Sequence, residues 1–131
     1  MNLVDSSGWL EYLGGGPRAG SFSTALEDTE QLLVPSICVT EVCKVLQRDK
    51  GEEAAMETLA AMLRGKVIDL DADLAFRAAG IGIEHRIPTA DSIILATALR
   101  HEALLWTTDA HFQGLRGVRY FARYPEGSVR R

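Results

Sequence analysis

The sequence predicts an α/β fold, a three-layer α/β/α sandwich built on a mostly parallel central sheet. Three observations carry this expectation. Short apolar runs alternate with amphipathic segments of helical period along nearly the whole chain. The 131 residues, 47% of them hydrophobic, suffice for one core and one domain spanning 1–131. Acidic residues recur where a strand ends or a helix begins, the edge at which such sheets bind ligands.

The elements follow in order. Residues 2–5 form a first strand ending on Asp5, and Ser6 or Ser7 is expected to cap a helix carrying Trp9, Leu10 and Leu13 on one face. Gly14-Gly15-Gly16-Pro17 stops that helix; it lacks the spacing of a phosphate-binding loop and reads as a turn. A helix over 19–29 leads to the strand Leu32-Leu33-Val34-Pro35. A helix over 37–49 buries Val42, Val45 and Leu46 and ends at Gly51. Another covers 52–64, with Gly65 as its expected C′ residue. A third strand spans 66–70. Asp71 caps a helix over 72–84, with Asp73 complementing the dipole in its first turn. Pro88 opens a helix running to about residue 101. A strand over 103–107, a short helical turn over 109–115 and a strand over 118–121 complete the chain.

Composition excludes several classes. No apolar run is long enough to cross a bilayer, and Met1-Asn2-Leu3-Val4-Asp5 lacks the basic and apolar regions of a secretory leader, so a cytoplasmic protein is expected. Cys38 and Cys43, five residues apart in one helix, read as small buried hydrophobes and not as a disulfide or zinc pair. A net charge of −4 excludes a globally basic nucleic-acid binder. Between Leu115 and Arg131, however, Arg116, Arg119, Arg123, Arg130 and Arg131 face one acid, Glu126. Such a tail suits a phosphate backbone or an acidic partner, or is simply solvated.

Four acids stand apart. Asp5 ends the first strand, Asp109 follows the fourth, and Glu41 and Asp91 lie in the opening turns of helices that start at the same sheet edge. Two unit charges 4 Å apart repel by roughly 4 kcal/mol at an effective dielectric of about 20, so gathering four calls for a compensating cation. Oxygen ligands without His or Cys favour Mg²⁺ or Mn²⁺ over zinc. Asp5, Glu41, Asp91 and Asp109 are therefore expected as metal ligands and catalytic groups for phosphodiester hydrolysis, with Thr107 or Ser6 orienting a ligand carboxylate. Taken singly, Asp91 can be a first-turn acid, Asp109 a cap and Glu41 a surface residue.

The motifs Val4-Asp5-Ser6-Ser7, Thr40-Glu41-Val42, Ala90-Asp91-Ser92-Ile93-Ile94-Leu95-Ala96-Thr97-Ala98 and Leu105-Trp106-Thr107-Thr108-Asp109-Ala110-His111-Phe112 resemble a PIN domain, and the chain length resembles the VapC toxins. The resemblance covers essentially the whole chain. It implies a Mg²⁺- or Mn²⁺-dependent endoribonuclease whose four acids match Asp5, Glu41, Asp91 and Asp109, with Thr107 matching the hydroxyl two residues before the last. It also implies a homodimer, a cognate VapB-like antitoxin whose C-terminal segment lies over the toxin, and a structured RNA substrate of the tRNA or rRNA class. Glu30, Glu52 and Glu53 compete with Glu41 for the second acid.

Lys44, one turn from Glu41, is a candidate RNA contact together with Arg119 and Arg123, or a solvated side chain. His85 and Arg86 read as surface residues; His111, two residues from Asp109, is within reach of a substrate but reads first as a capping or packing residue. Trp9 and Tyr12 are expected in the core or an interface. The alternatives are a non-toxin PIN nuclease of RNA processing, a non-catalytic PIN-like binding module, and a metal-binding phospho-receiver domain. The last lacks here its adjacent acid pair after strand one and its Lys after the last strand.

Overall fold

A computed structural model of the protein describes residues 1–123; Glu126, Arg130 and Arg131 of the expected arginine-rich tail lie outside the described residues. The elements are β1 (Asn2–Val4), α1 (Ser6–Leu13), α2 (Ala19–Glu27), a 3₁₀ turn (Thr29–Gln31), β2 (Leu32–Pro35), α3 (Ser36–Lys50), α4 (Glu52–Met62), β3 (Lys66–Ile68), α5 (Ala72–His85), α6 (Thr89–Arg100), β4 (Leu104–Thr107), a second 3₁₀ turn (Ala110–Phe112) and β5 (Val118–Tyr120).

The five strands form one sheet in the order β3-β2-β1-β4-β5, and every pairing is parallel. The chain steps outward from β1 through β2 to β3, then crosses back to β4 and β5 on the other side of β1. Because parallel crossovers are right-handed, this reversal puts helices on both faces and gives the three layers. The central strands show the consequence. Leu3 and Val4 point to opposite faces yet both are fully buried, as are Leu32, Leu33 and Val34 of β2. The core continues through Trp9, Phe22, Cys38, Val42, Ile94, Leu105 and Phe112. Among the described residues, no helix is long and apolar enough to cross a membrane.

Several local expectations are corrected. The cap of α1 is Asp5 and not a serine: with an extended backbone (φ −74°, ψ 176°) its carboxylate accepts the Gly8 N–H at 3.0 Å. Asp5 is free to cap because the strand ends one residue earlier than its apolar run suggests, at Val4. Gly65 is not a left-handed C′ residue. A Cβ there would lie 2.9 Å from Val34 Cγ2 and 3.0 Å from the Leu32 carbonyl, so glycine serves the close passage of the chain against β2. Helices end on a positive φ instead at Gly51 after α3 (φ 98°) and at Arg86 after α5 (φ 55°). Helix α2 stops at Glu27 before a 3₁₀ turn, and α4 stops at Met62. Glu41 sits in the second turn of α3, because that helix already starts at Ser36. Cys38 is buried as expected, whereas Cys43 is half-buried.

Candidate metal centre

The reversal of strand order falls between β1 and β4, and the carboxyl ends of these neighbours form the crevice in which open α/β sheets bind ligands. Asp5 leaves the end of β1, and its backbone N–H still reaches the Trp106 carbonyl of β4 at 3.2 Å. The side chain is only 2% exposed. Thr107 at the end of β4 donates its hydroxyl to Asp5 Oδ2 at 2.6 Å, and Ser7 donates to Oδ1 at 2.7 Å. Those hydroxyls are themselves aimed by the turn that follows β4. The Asp109 N–H donates to Thr107 Oγ1 at 2.8 Å and the Thr108 N–H to Ser7 Oγ at 3.0 Å. Two backbone donors thus fix two hydroxyls, which with the Gly8 N–H fix one carboxylate.

Even with three donors, burial dominates. It pushes the Asp5 carboxyl up from 3.8 to about 6, against the downward pull of Thr107, Ser7 and Gly8, and the charge of Asp109 adds to the rise.

Asp91, in the first turn of α6, is likewise pushed up to about 6, first by burial and then by the charge of Asp109. His111 opposes the rise. Its Nδ1 stands 2.8 Å from Asp91 Oδ2 and 3.1 Å from Asp109 Oδ1, and its backbone N–H donates to Asp109 Oδ1 at 2.9 Å. The two carboxylates, Asp91 first, raise the imidazole in turn. Glu41 accepts from Ser6 Oγ at 3.1 Å. Cys38 on α3 is fully buried. Burial holds its thiol well above the usual range, and the charges of Asp5, Glu41 and Asp91 all push it the same way.

Asp91 and Asp109 meet at this crevice with His111, Asp5 is held by Thr107 and Glu41 by Ser6, and neither Asp5 nor Glu41 belongs to the group whose donor atoms all lie within 4.8 Å of one another. Among the described residues, no Lys or Arg forms an ion pair with Asp5, Glu41, Asp91 or Asp109; the arginine ion pairs go to Asp49, Asp73, Asp71 and Glu11. The donor set fits a divalent cation. It is carboxylate-rich and has no Lys or Arg partner among the described residues, Asp5 and Asp91 are pushed up to about 6 by burial, and the His111 imidazole lies between Asp91 and Asp109. One candidate ligand set is Asp91, Asp109 and His111, whose donor atoms all lie within 4.8 Å of one another.

Other candidates lie apart. Lys44 is exposed on α3. The Arg119 guanidinium stacks 4.6 Å from the Trp106 ring centroid and 5.8 Å from that of Phe121. Arg123 Nε is 4.0 Å from the buried Glu11, and this side chain shares a hollow of about 200 Å³ with Ser7 and Thr108, beside the acids. Asp71 and Asp73 act as expected, one capping α5 and pairing with Arg100, the other pairing with Arg77. Trp9 is buried and Tyr12 half-buried against the core.

Two participants go beyond the sequence expectation. Local pattern makes Ser7 a helix cap, although a hydroxyl two residues after a strand-end acid is well placed to fold back on it. Local pattern makes His111 a capping or packing residue. Its backbone does join the 3₁₀ cap, but its ring lies on the carboxylates; the signal is a lone His two residues after an acid of the cluster.

Residues 3–118 match the PIN domain family, and the chain belongs to it. No curated protein matches the chain in sequence. Among solved structures, a chain of a toxin–antitoxin complex from Klebsiella pneumoniae is 26% identical, with a TM-score of 0.76 over 95% of this chain and 98% of that one. VapC20 of Mycobacterium tuberculosis, a Sarcin-Ricin loop cleaving toxin, is 21% identical, with a TM-score of 0.71 over 86% and 92% of the two chains. A chain of VapBC2 from Rickettsia felis, bound to a DNA fragment of the promoter, is 17% identical, with a TM-score of 0.69 over 92% and 96%. The last two show likeness of fold alone.

Proposed function

We propose that this chain is a metal-dependent endoribonuclease and the toxin of a type II toxin–antitoxin pair. The observation that carries the reading is the meeting of Asp5, Asp91 and Asp109 at the β1/β4 switch point with Glu41 nearby. These acids form no ion pair with Lys or Arg among the described residues. Membership of the PIN family and the likeness to a chain of a toxin–antitoxin complex support it.

In this reading Asp91 and Asp109 would hold Mg²⁺ or Mn²⁺. Asp5, fixed by Thr107, Ser7 and Gly8, closes the floor of the crevice, and Glu41, steadied by Ser6, completes the acidic wall. When bound, the cation makes a water nucleophilic near neutral pH and offsets the charge that builds on the phosphate. One of the four carboxylates takes the proton of the attacking water. Arg123, beside Ser7 and Thr108, and the exposed Lys44 are placed to meet RNA phosphates. Arg119 reaches them only by leaving its stacking partners.

A VapB-like antitoxin is the proposed partner. An apolar hollow of about 210 Å³ lined by Leu10, Leu13, Val45 and Leu46 is a seat for an apolar segment. A homodimer is proposed through the outer face of α5, where Phe76 is 83% and Ile83 81% exposed. Sedimentation of Phe76→Asp should then give a monomer. The proposed site of action is the cytoplasm, on structured RNA.

The test is incubation of total cellular RNA with antitoxin-free protein in Mg²⁺, in Mn²⁺ and in EDTA, beside Asp91→Asn. Discrete fragments are expected only with metal and only from the wild type. Cleavage that survives EDTA or Asp91→Asn overturns the mechanism.

A further inference from the structure

We propose that His111 is itself a ligand of the divalent cation, through Nδ1, and that this nitrogen biases the site toward Mn²⁺ over Mg²⁺. The inference rests on the metal-dependent reading above and adds to it a donor outside the four acids.

The geometry is that of a chelate. In an octahedral site with metal–ligand bonds of about 2.1 Å, neighbouring donors stand roughly 3 Å apart. His111 Nδ1 lies 2.8 Å from Asp91 Oδ2 and 3.1 Å from Asp109 Oδ1. Only small shifts are needed for an ion to sit between the imidazole nitrogen and the two carboxylates. The ring is held in place by its backbone. The 3₁₀ turn at Ala110–Phe112 begins on Asp109, whose Oδ1 accepts the His111 N–H, so residues 109 and 111 project to the same side. Phe112, the next residue, is fully buried and anchors the turn to the core.

Chemistry sets the preference. Mg²⁺ is a hard ion that seeks oxygen and keeps its waters, whereas an imidazole nitrogen suits softer transition ions. Replacing one oxygen or water by nitrogen therefore costs Mg²⁺ more than Mn²⁺. The side chain of His111 is 55% exposed, so its loss need not disturb the core.

The test is electron spin-echo spectroscopy of Mn²⁺ bound to the antitoxin-free protein, with histidine labelled by ¹⁵N, together with calorimetric titration of Mn²⁺ and Mg²⁺. A nitrogen coupling of the bound ion that changes with ¹⁵N and vanishes in His111→Ala is expected. Mn²⁺ affinity should fall by about tenfold or more in that variant, with a smaller change for Mg²⁺, the scale on which altering a metal-supporting residue acts. Bound Mn²⁺ without nitrogen coupling overturns the role of His111 and leaves the acidic site standing. Failure of the wild type to bind either ion overturns the metal-dependent reading and this inference with it.

Discussion

Thr107 shows how much one hydroxyl can decide. It is fully buried, donates a hydrogen bond to Asp5 and accepts one from the Asp109 N–H, so it links the first and last acids of the site. Thr107→Val keeps the shape and removes both bonds. With a donor lost, the charged form of Asp5 is less favoured, and its carboxyl should move still higher than about 6. The acidic limb of the cleavage–pH profile should then shift upward, and stability should fall by about 1–3 kcal/mol in urea unfolding. Thr107→Ser should retain most of both properties. An unchanged limb in Thr107→Val would show that Asp5 does not titrate in the activity. Ser7 and His111 belong to the same scale. Neither is legible as a site residue, because a serine after a strand and a histidine in a turn have several local uses, and their real partners lie 100 and 20 residues away for Thr107 and Asp91.

Among the elements, α1 is positioned by what its first turn lacks. A Cβ on Gly8 would stand 2.5 Å from Val4 Cγ1 and 2.8 Å from Phe22 Cε1. Glycine thus lets α1 pass close over β1 and α2 while its N–H caps onto Asp5. Gly8→Ala should cost about 1–3 kcal/mol by overpacking. Because it moves the helix that carries Ser6 and Ser7, it should also lower activity. Gly80 lies in the interior of α5 with an ordinary helical backbone, and a Cβ there would meet nothing within 4 Å. Gly80→Ala should instead stabilise by roughly 0.5–1 kcal/mol. Urea denaturation of the two variants tests the contrast; a loss of stability in both would place Gly80 in the dimer contact proposed for the Phe76 and Ile83 face of α5. The helix and strand runs themselves are readable from periodicity. Their ends move by a few residues where a 3₁₀ turn or a capping side chain takes over, and neither has a periodic signature.

For the molecule as a whole, the acidic crevice is a stability cost that a cation can relieve. Asp5 and Asp91 titrate near 6 in the folded protein against 3.8 as ordinary carboxyls. A raised carboxyl stabilises fully below the lower value, and that contribution is lost as pH rises through about 6. His111, also raised, has the same sign, since its stabilisation fades as pH climbs past its elevated value. In EDTA, the melting temperature should therefore fall between pH 4 and pH 7. A divalent cation binds the ionised carboxylates, so Mn²⁺ or Mg²⁺ should raise the melting temperature more at pH 7.5 than at pH 5. An equal rise at both values would mean that the ion binds elsewhere.

The sequence by itself determined the alternation of strands and helices, the parallel sheet and the strand-end positions of Asp5 and Asp109. Each depends on local periodicity or on a chain-order rule that holds for right-handed crossovers. Only the tertiary structure decided which hydroxyls serve which carboxylate, that Asp5 and not a serine caps α1, that Gly65 answers to a close approach, and that an imidazole lies between Asp91 and Asp109. Those outcomes depend on side chains from β1, α3, α6 and the turn after β4 meeting at distances near 3 Å. Spacing along a chain fixes which residues share a face; it does not fix which faces meet.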